Sequence, residues 1–197
     1  MMAVARALAT GPRPKRSIIF LAVTGEEKGI LGSDYFAHHP PVPIGQIVAD
    51  INLDNFVLTN PVQDLVPYGA KYSSLDDVAT AAIRGLGLKT SEDALPWMTI
   101  FTRSDHYSFM RVGVPAVLLF PGKLSGNGAQ TGVEVQRAWF GRIHHTPRDR
   151  IDQGIDWHAA VVYGEANLRM GYAIANAASR PVWRGTGPRF FSEGAVP

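Results

Sequence analysis

Residues 17–23 read SIIFLAV, an unbroken apolar run between the turn GPRPKR at Gly11–Arg16 and the pair Thr24-Gly25. A run with no polar side cannot turn one face to water, so it predicts a strand buried on both faces, as in a sheet covered by helices. The same reasoning predicts a second strand at Ile47–Asp54 (IVADINLD) and a third at Val114–Phe120 (VPAVLLF). Helical patterns alternate with these runs. Ile30–His38 predicts a short helix closed by the prolines that follow it. SSLDDVATAAIRGLG offers Ser73 or Ser74 as a cap, apolar residues at Leu75, Val78, Ala82 and Leu86, and a terminating glycine. SDHYSFMRVG reads as a short helix, Met1–Thr10 as a helix with Met1, Val4 and Leu8 on one face, and Asp156–Ala178 as a final helix before a Trp- and Phe-bearing tail. The Gly-rich PGKLSGNGAQTG reads as a loop. Strands alternating with helices, without repeat or linker, predict an α/β fold with a largely parallel sheet.

Composition excludes several functions. The 197 residues are 46% hydrophobic with a formal net charge of +2, which fits a soluble chain with one sizeable core. Basic residues cluster only at Arg13–Arg16, a short solvated turn, so no stripe suits nucleic acid. Cysteine is absent, which removes disulfides, thiolate metal sites and cysteine nucleophiles. No apolar run approaches the roughly 18 residues of a transmembrane segment, and the opening MMAVARALAT is too short for a signal peptide.

In open α/β sheets ligands collect beyond the carboxyl ends of strands. Glu26 and Glu27 follow the first expected strand and Asp54 ends the second, while Ser104–His106 (SDH) and His144–Asp149 (HHTPRD) lie in later loops able to return to that edge. Carboxylate oxygen with imidazole nitrogen is the donor chemistry of a zinc-type site. Adjacent glutamates suit it, because one can ligate while its neighbour carries a proton. His38, His39 and His158 have no such placement and read as surface or helix-end residues.

Four segments, RSIIFLAVTGEEKGILGSDYF, ADINLDN, RSDHYSFMRVGVPAV and HHTPRDRID, resemble in order and spacing the M28 family of zinc aminopeptidases. The resemblance implies a three-layer α/β/α fold with a mostly parallel mixed sheet, and residues 1–197 as a single partial catalytic domain. It implies Glu26 as general base, Glu27 and His145 as ligands of one metal, and Asp54 as the aspartate of a second. Asp105 and His106 become supporting or substrate-side residues, and His144 a neighbour the motif does not require. Family members also carry an upstream His-x-Asp strand and a bridging aspartate that have no match here, since the first histidine in this chain is His38. The chain therefore looks like the C-terminal portion of such an enzyme. The expected function is zinc-dependent hydrolysis of a peptide or amino-acid amide, impaired because ligand motifs are absent. The family's two zinc ions are expected to be weakly held or missing. A non-catalytic fragment and a single-zinc acyl transferase of the glutaminyl cyclase type are the alternatives. Surfaces left uncovered by the absent strand predict self-association. The residues set no compartment.

Overall fold

A computed structural model describes residues 1–54 and 58–185. Asn55 of the ADINLDN motif and the Phe-bearing end of the tail lie outside the described residues. The sheet is mixed, in the order β1-β4-β2-β3, from β1 (Asp50–Asn52), β2 (Asp64–Tyr68), β3 (Lys89–Thr90) and β4 (Ala116–Pro121). Strand β1 pairs parallel with β4 and β3 parallel with β2, whereas β2 runs antiparallel to β4.

Side-chain alternation builds the layers. Along β4, Val117 and Leu119 point to one face, where they join Leu65 of β2, helix α3 (Leu75–Arg84) and helix α6 (Trp157–Asn176) in a core that includes Ile83, Tyr163 and Met170. Leu118 and Phe120 point the other way and meet Val66, Tyr68 and helix α5 (Gly132–Arg142) through Val135, Trp139 and Phe140. On that same side Ala116 packs with Phe109 and Met110 of helix α4 (His106–Arg111) and Phe36 of helix α2 (Leu31–His38). Helices on both faces of a mixed sheet make the expected α/β/α architecture. β4 is buried at every position, and each large side chain it removes from water contributes about 1.5–3 kcal/mol.

Local signals explain the helix ends. Asp156 caps α6 by accepting the Ala159 N–H at 3.0 Å. Thr131 and Glu134 form a reciprocal capping box that starts α5 within the expected glycine-rich loop. Helix α1 (Met2–Thr10) lies against α6 and buries no residue.

One expectation is overturned. Ser17–Val23 joins no strand ladder among the described residues, and Ile19 and Phe20 are 51% and 42% exposed. A strand exists only through a neighbour's N–H and C=O groups, however apolar its side chains. The segment is held at its ends instead. Arg16 donates its backbone N–H to Ala175 and its guanidinium to the Ile174 and Ala177 carbonyls, and the Thr24 carbonyl accepts from Gly32. Three elements were not anticipated: β2, whose sequence DLVPY opens on an acid and contains Pro67, the two-residue β3, and α5. The tail's Trp183 packs back, donating its indole N–H to the Gly113 carbonyl.

Candidate active site

The Glu26–Lys28 turn is fixed by its flanks. Gly25 and Gly29 take φ of 73° and 103°, left-handed values that other residues adopt only at a cost, and they fold the chain tightly enough to present adjacent carboxylates. Glu27 and His145 meet there. The Nε2 of His145 lies 2.5 Å from Glu27 Oε1, although 118 residues separate them in sequence. His144 stacks on His145 with ring centroids 3.6 Å apart, and one donor atom each from Glu27, His144 and His145 lie within 4.8 Å of one another. Two imidazole nitrogens and a carboxylate oxygen are the donor set that zinc takes, so the residues fit the metal.

Beside this cluster lies a group of acids on the β1 edge. Residues 50, 52 and 54 follow the two-residue period of a strand, and two of them converge on one serine. Asn52 donates to Ser104 Oγ at 2.6 Å, and Ser104 Oγ–H donates to Asp54 at 2.5 Å. Asp54 is thereby engaged and lies outside the Glu27–His144–His145 donor group. Glu26 sits between the two groups. Partial burial, followed by the charges of Asp54, Glu27 and Asp105, pushes its carboxyl up to about 7, with Arg103 pulling the other way. Asp105 is also pushed up by burial, while a hydrogen bond from Ser33 draws it down. Asp50 is half-buried as a residue, but its Oδ2 is shut off from solvent and has no hydrogen-bond partner among the described residues; its carboxyl rises to about 7, mainly through desolvation and secondarily through the charge of Asp105.

Of the residues expected at the site, Glu26, Glu27, Asp54, Asp105 and His145 share this edge. His106 does not reach it. Its ring is fully buried, packed edge-to-face on Phe101, and burial pushes its imidazole down to about 3 against the pull of the Phe101 backbone carbonyl. Sequence reading passed over Asp50, for which the alternation of polar residues in ADINLD was the available signal, and named Ser104 only as the start of the SDH segment. It also set His144 aside, as a neighbour that the family motif does not require. His145 has φ of 57°, and that left-handed turn brings the two rings face to face.

An α/β sheet with a glutamate–histidine cluster and a carboxylate network at one edge is an arrangement able to support metal-assisted and acid–base chemistry. The sequence matches peptidase family M28 over residues 1–170, and the chain belongs to that family. Among solved structures, an aminopeptidase from Aneurinibacillus sp. strain AM-1 is similar at 20% identity and a TM-score of 0.53, over 83% of this chain and 34% of its own. A glutaminyl cyclase from Porphyromonas gingivalis is similar at 20% identity and a TM-score of 0.49, over 77% of this chain and 49% of its own. The chain thus spans about a third of the first relative and half of the second. No curated protein matches it.

Proposed function

We propose that this chain is a zinc-dependent hydrolase of the aminopeptidase type, acting on a peptide or amino-acid amide and working below the rate of a complete two-ion centre. The observation that carries this reading is the 2.5 Å approach of His145 to Glu27, next to a second glutamate available for proton transfer. Bound zinc would supply Lewis-acid polarisation of a carbonyl and acidification of water. Glu27 and His145 would hold the ion. Glu26 takes a proton from the attacking water and delivers it to the leaving amine, a transfer suited to a carboxyl whose pKa lies near neutrality. Asp105 and Asp54 surround Glu26 with negative charge. Asp54 is the carboxylate left for a second ion, and its bond to Ser104 supports a single-ion reading. Uncovered apolar surface at Ile19 and Phe20 supports self-association as part of the same proposal.

The test combines zinc content with hydrolysis of a chromogenic amide bearing a free α-amino group. Zinc-dependent turnover supports the hydrolase. Zinc uptake without turnover identifies a non-catalytic member, and cyclisation of an N-terminal glutaminyl peptide in place of amide hydrolysis identifies the acyl transferase, a reading favoured only by the single-ion geometry.

A further inference from the structure

We infer that the tail segment Arg180–Arg184 is a clasp that positions the active site, with Arg180 and Trp183 gripping the two segments that carry Asp54 and Asp105 to it. The inference rests on the hydrolase reading above and leaves its metal ligands untouched.

The clasp follows α6, past the family-matched residues, and its polar contacts fall on three separate parts of the chain. Arg180 donates its guanidinium to the Ile47 carbonyl at 3.0 Å, just before β1. Trp183 donates its indole N–H to the Gly113 carbonyl at 3.1 Å, just past α4. The remaining contacts moor the clasp to the start of α3. Ser74 N–H donates to the Val182 carbonyl at 2.8 Å, Val182 N–H donates to Ser74 Oγ at 3.0 Å, and the Arg184 guanidinium spans Asp76 and Asp77. Helix α3 is a firm mooring, because Leu75, Ala79 and Ile83 are buried in the core on the other face of the sheet from α4.

Both gripped segments end at the site. Strand β1 carries Asp50 and Asn52 and leads to Asp54, and its Asp50 N–H donates to the Pro115 carbonyl at 2.9 Å, two residues beyond the carbonyl that Trp183 holds. Helix α4 has six residues, about 9 Å of length, with Ser104 and Asp105 at its head. A helix so short does not hold itself together, so its position depends on what grips its ends. At the site end Ser104 donates to Asp54, and Ser108 meets Ser33 at 3.0 Å. At the far end Gly113, with φ of 84°, closes a paired turn: its N–H donates to Met110 and that of Val114 to Phe109, both at 3.0 Å. The Gly113 carbonyl is the group that Trp183 takes. Packing alone does not seat the clasp, since a cleft of about 220 Å³ remains between it and Ile44, Ile47, Val112 and Val114. Its hydrogen bonds therefore set its place, and releasing them frees the far end of a short lever whose head is Asp105. A shift of about 1 Å in a positioned group costs as much as 10²-fold in rate.

The experiment compares the full-length wild type with Trp183→Phe, which keeps an aromatic ring but loses the donor, and with Arg180→Met. Amide hydrogen exchange is read first, without metal or substrate. The Tyr107 and Ser108 N–H groups, bonded to the Ser104 and Asp105 carbonyls at 3.0 and 3.1 Å, report the site end of α4. Trp183→Phe is expected to speed their exchange about tenfold while amides of α3, α6 and β2 keep wild-type rates. Arg180→Met is expected to do the same at Asp50, and Arg180→Lys, which retains a donor for Ile47, to restore protection. In zinc-dependent turnover of the chromogenic amide, Trp183→Phe is expected to lower kcat about three- to tenfold with KM within about twofold of wild type. Unchanged exchange at Tyr107 and Ser108 would overturn the inference, as would an increase shared by every element, the mark of lost general stability. Faster exchange in α4 with an unaltered kcat would overturn it too. If wild type turns over no amide, the hydrolase reading fails, and the clasp stands or falls on exchange at Tyr107, Ser108 and Asp50.

Discussion

At the scale of the residue, charge placed near the core governs behaviour. Glu26 is assigned proton transfer and not ligation, so Glu26→Gln is expected to lower zinc-dependent turnover by 10²-fold or more while leaving zinc content within experimental error. Loss of zinc with the activity would exchange its role with that of Glu27. Asp50 sets a pH dependence of stability. Its carboxyl moves from an ordinary 3.8 to about 7 on folding, so the folded state holds a proton that the unfolded chain has released. Asp50 therefore contributes no penalty below about pH 4, an increasing penalty as pH rises toward 7, and a constant one above. Asp50→Asn remains neutral throughout. Its thermal midpoint is expected to exceed that of wild type at pH 8, with the gap closing as pH falls to 4. A gap independent of pH would refute the assignment.

At the scale of the element, a second carboxylate ties the sheet to the helix behind the site. Asp64, fully buried at the start of β2, accepts from the hydroxyls of Ser91 and Ser125 and from the Leu124 N–H at 3.1 Å. Gly122 makes that approach possible, since a Cβ there would stand 2.2 Å from Asp64 Oδ2. The strap so anchored leads into α5, which carries Trp139 and Phe140. Asp64→Ala leaves buried donors without acceptors and is expected to cost on the order of 3 kcal/mol in urea denaturation. Through α5 it is also expected to weaken zinc binding. A fully folded variant with wild-type zinc affinity would show that the strap does not support the metal ligands.

At the scale of the whole molecule, the sheet ends at β1, whose outer edge has no partner among the described residues, and the segment 17–23 leaves Ile19 and Phe20 exposed. Open strand edges with apolar side chains promote association. Sedimentation is expected to show concentration-dependent self-association at tens of micromolar, in the range where exposed apolar patches recruit partners. Ile19→Lys combined with Phe20→Glu is expected to abolish it. A wild-type monomer across that range would count against the proposal.

Periodicity and punctuation in the sequence determined helices α2, α3, α4 and α6, the buried strand at β4, the start of α6 at Asp156 and the glycine that ends α3, because each depends on neighbours a few residues away. The glutamate pair and HHTPRD likewise declared their chemistry locally. What depended on distant chain was decided only in three dimensions. SIIFLAV has every side chain of a buried strand, but a ladder needs a second backbone, and none of the described residues supplies it. DLVPY has a weak strand signal, and becomes one because β4 and β3 flank it. The meeting of His145 with Glu27, 118 residues apart, was likewise decided by the tertiary fold, and the left-handed φ of 57° at His145 is a feature that side-chain periodicity does not carry.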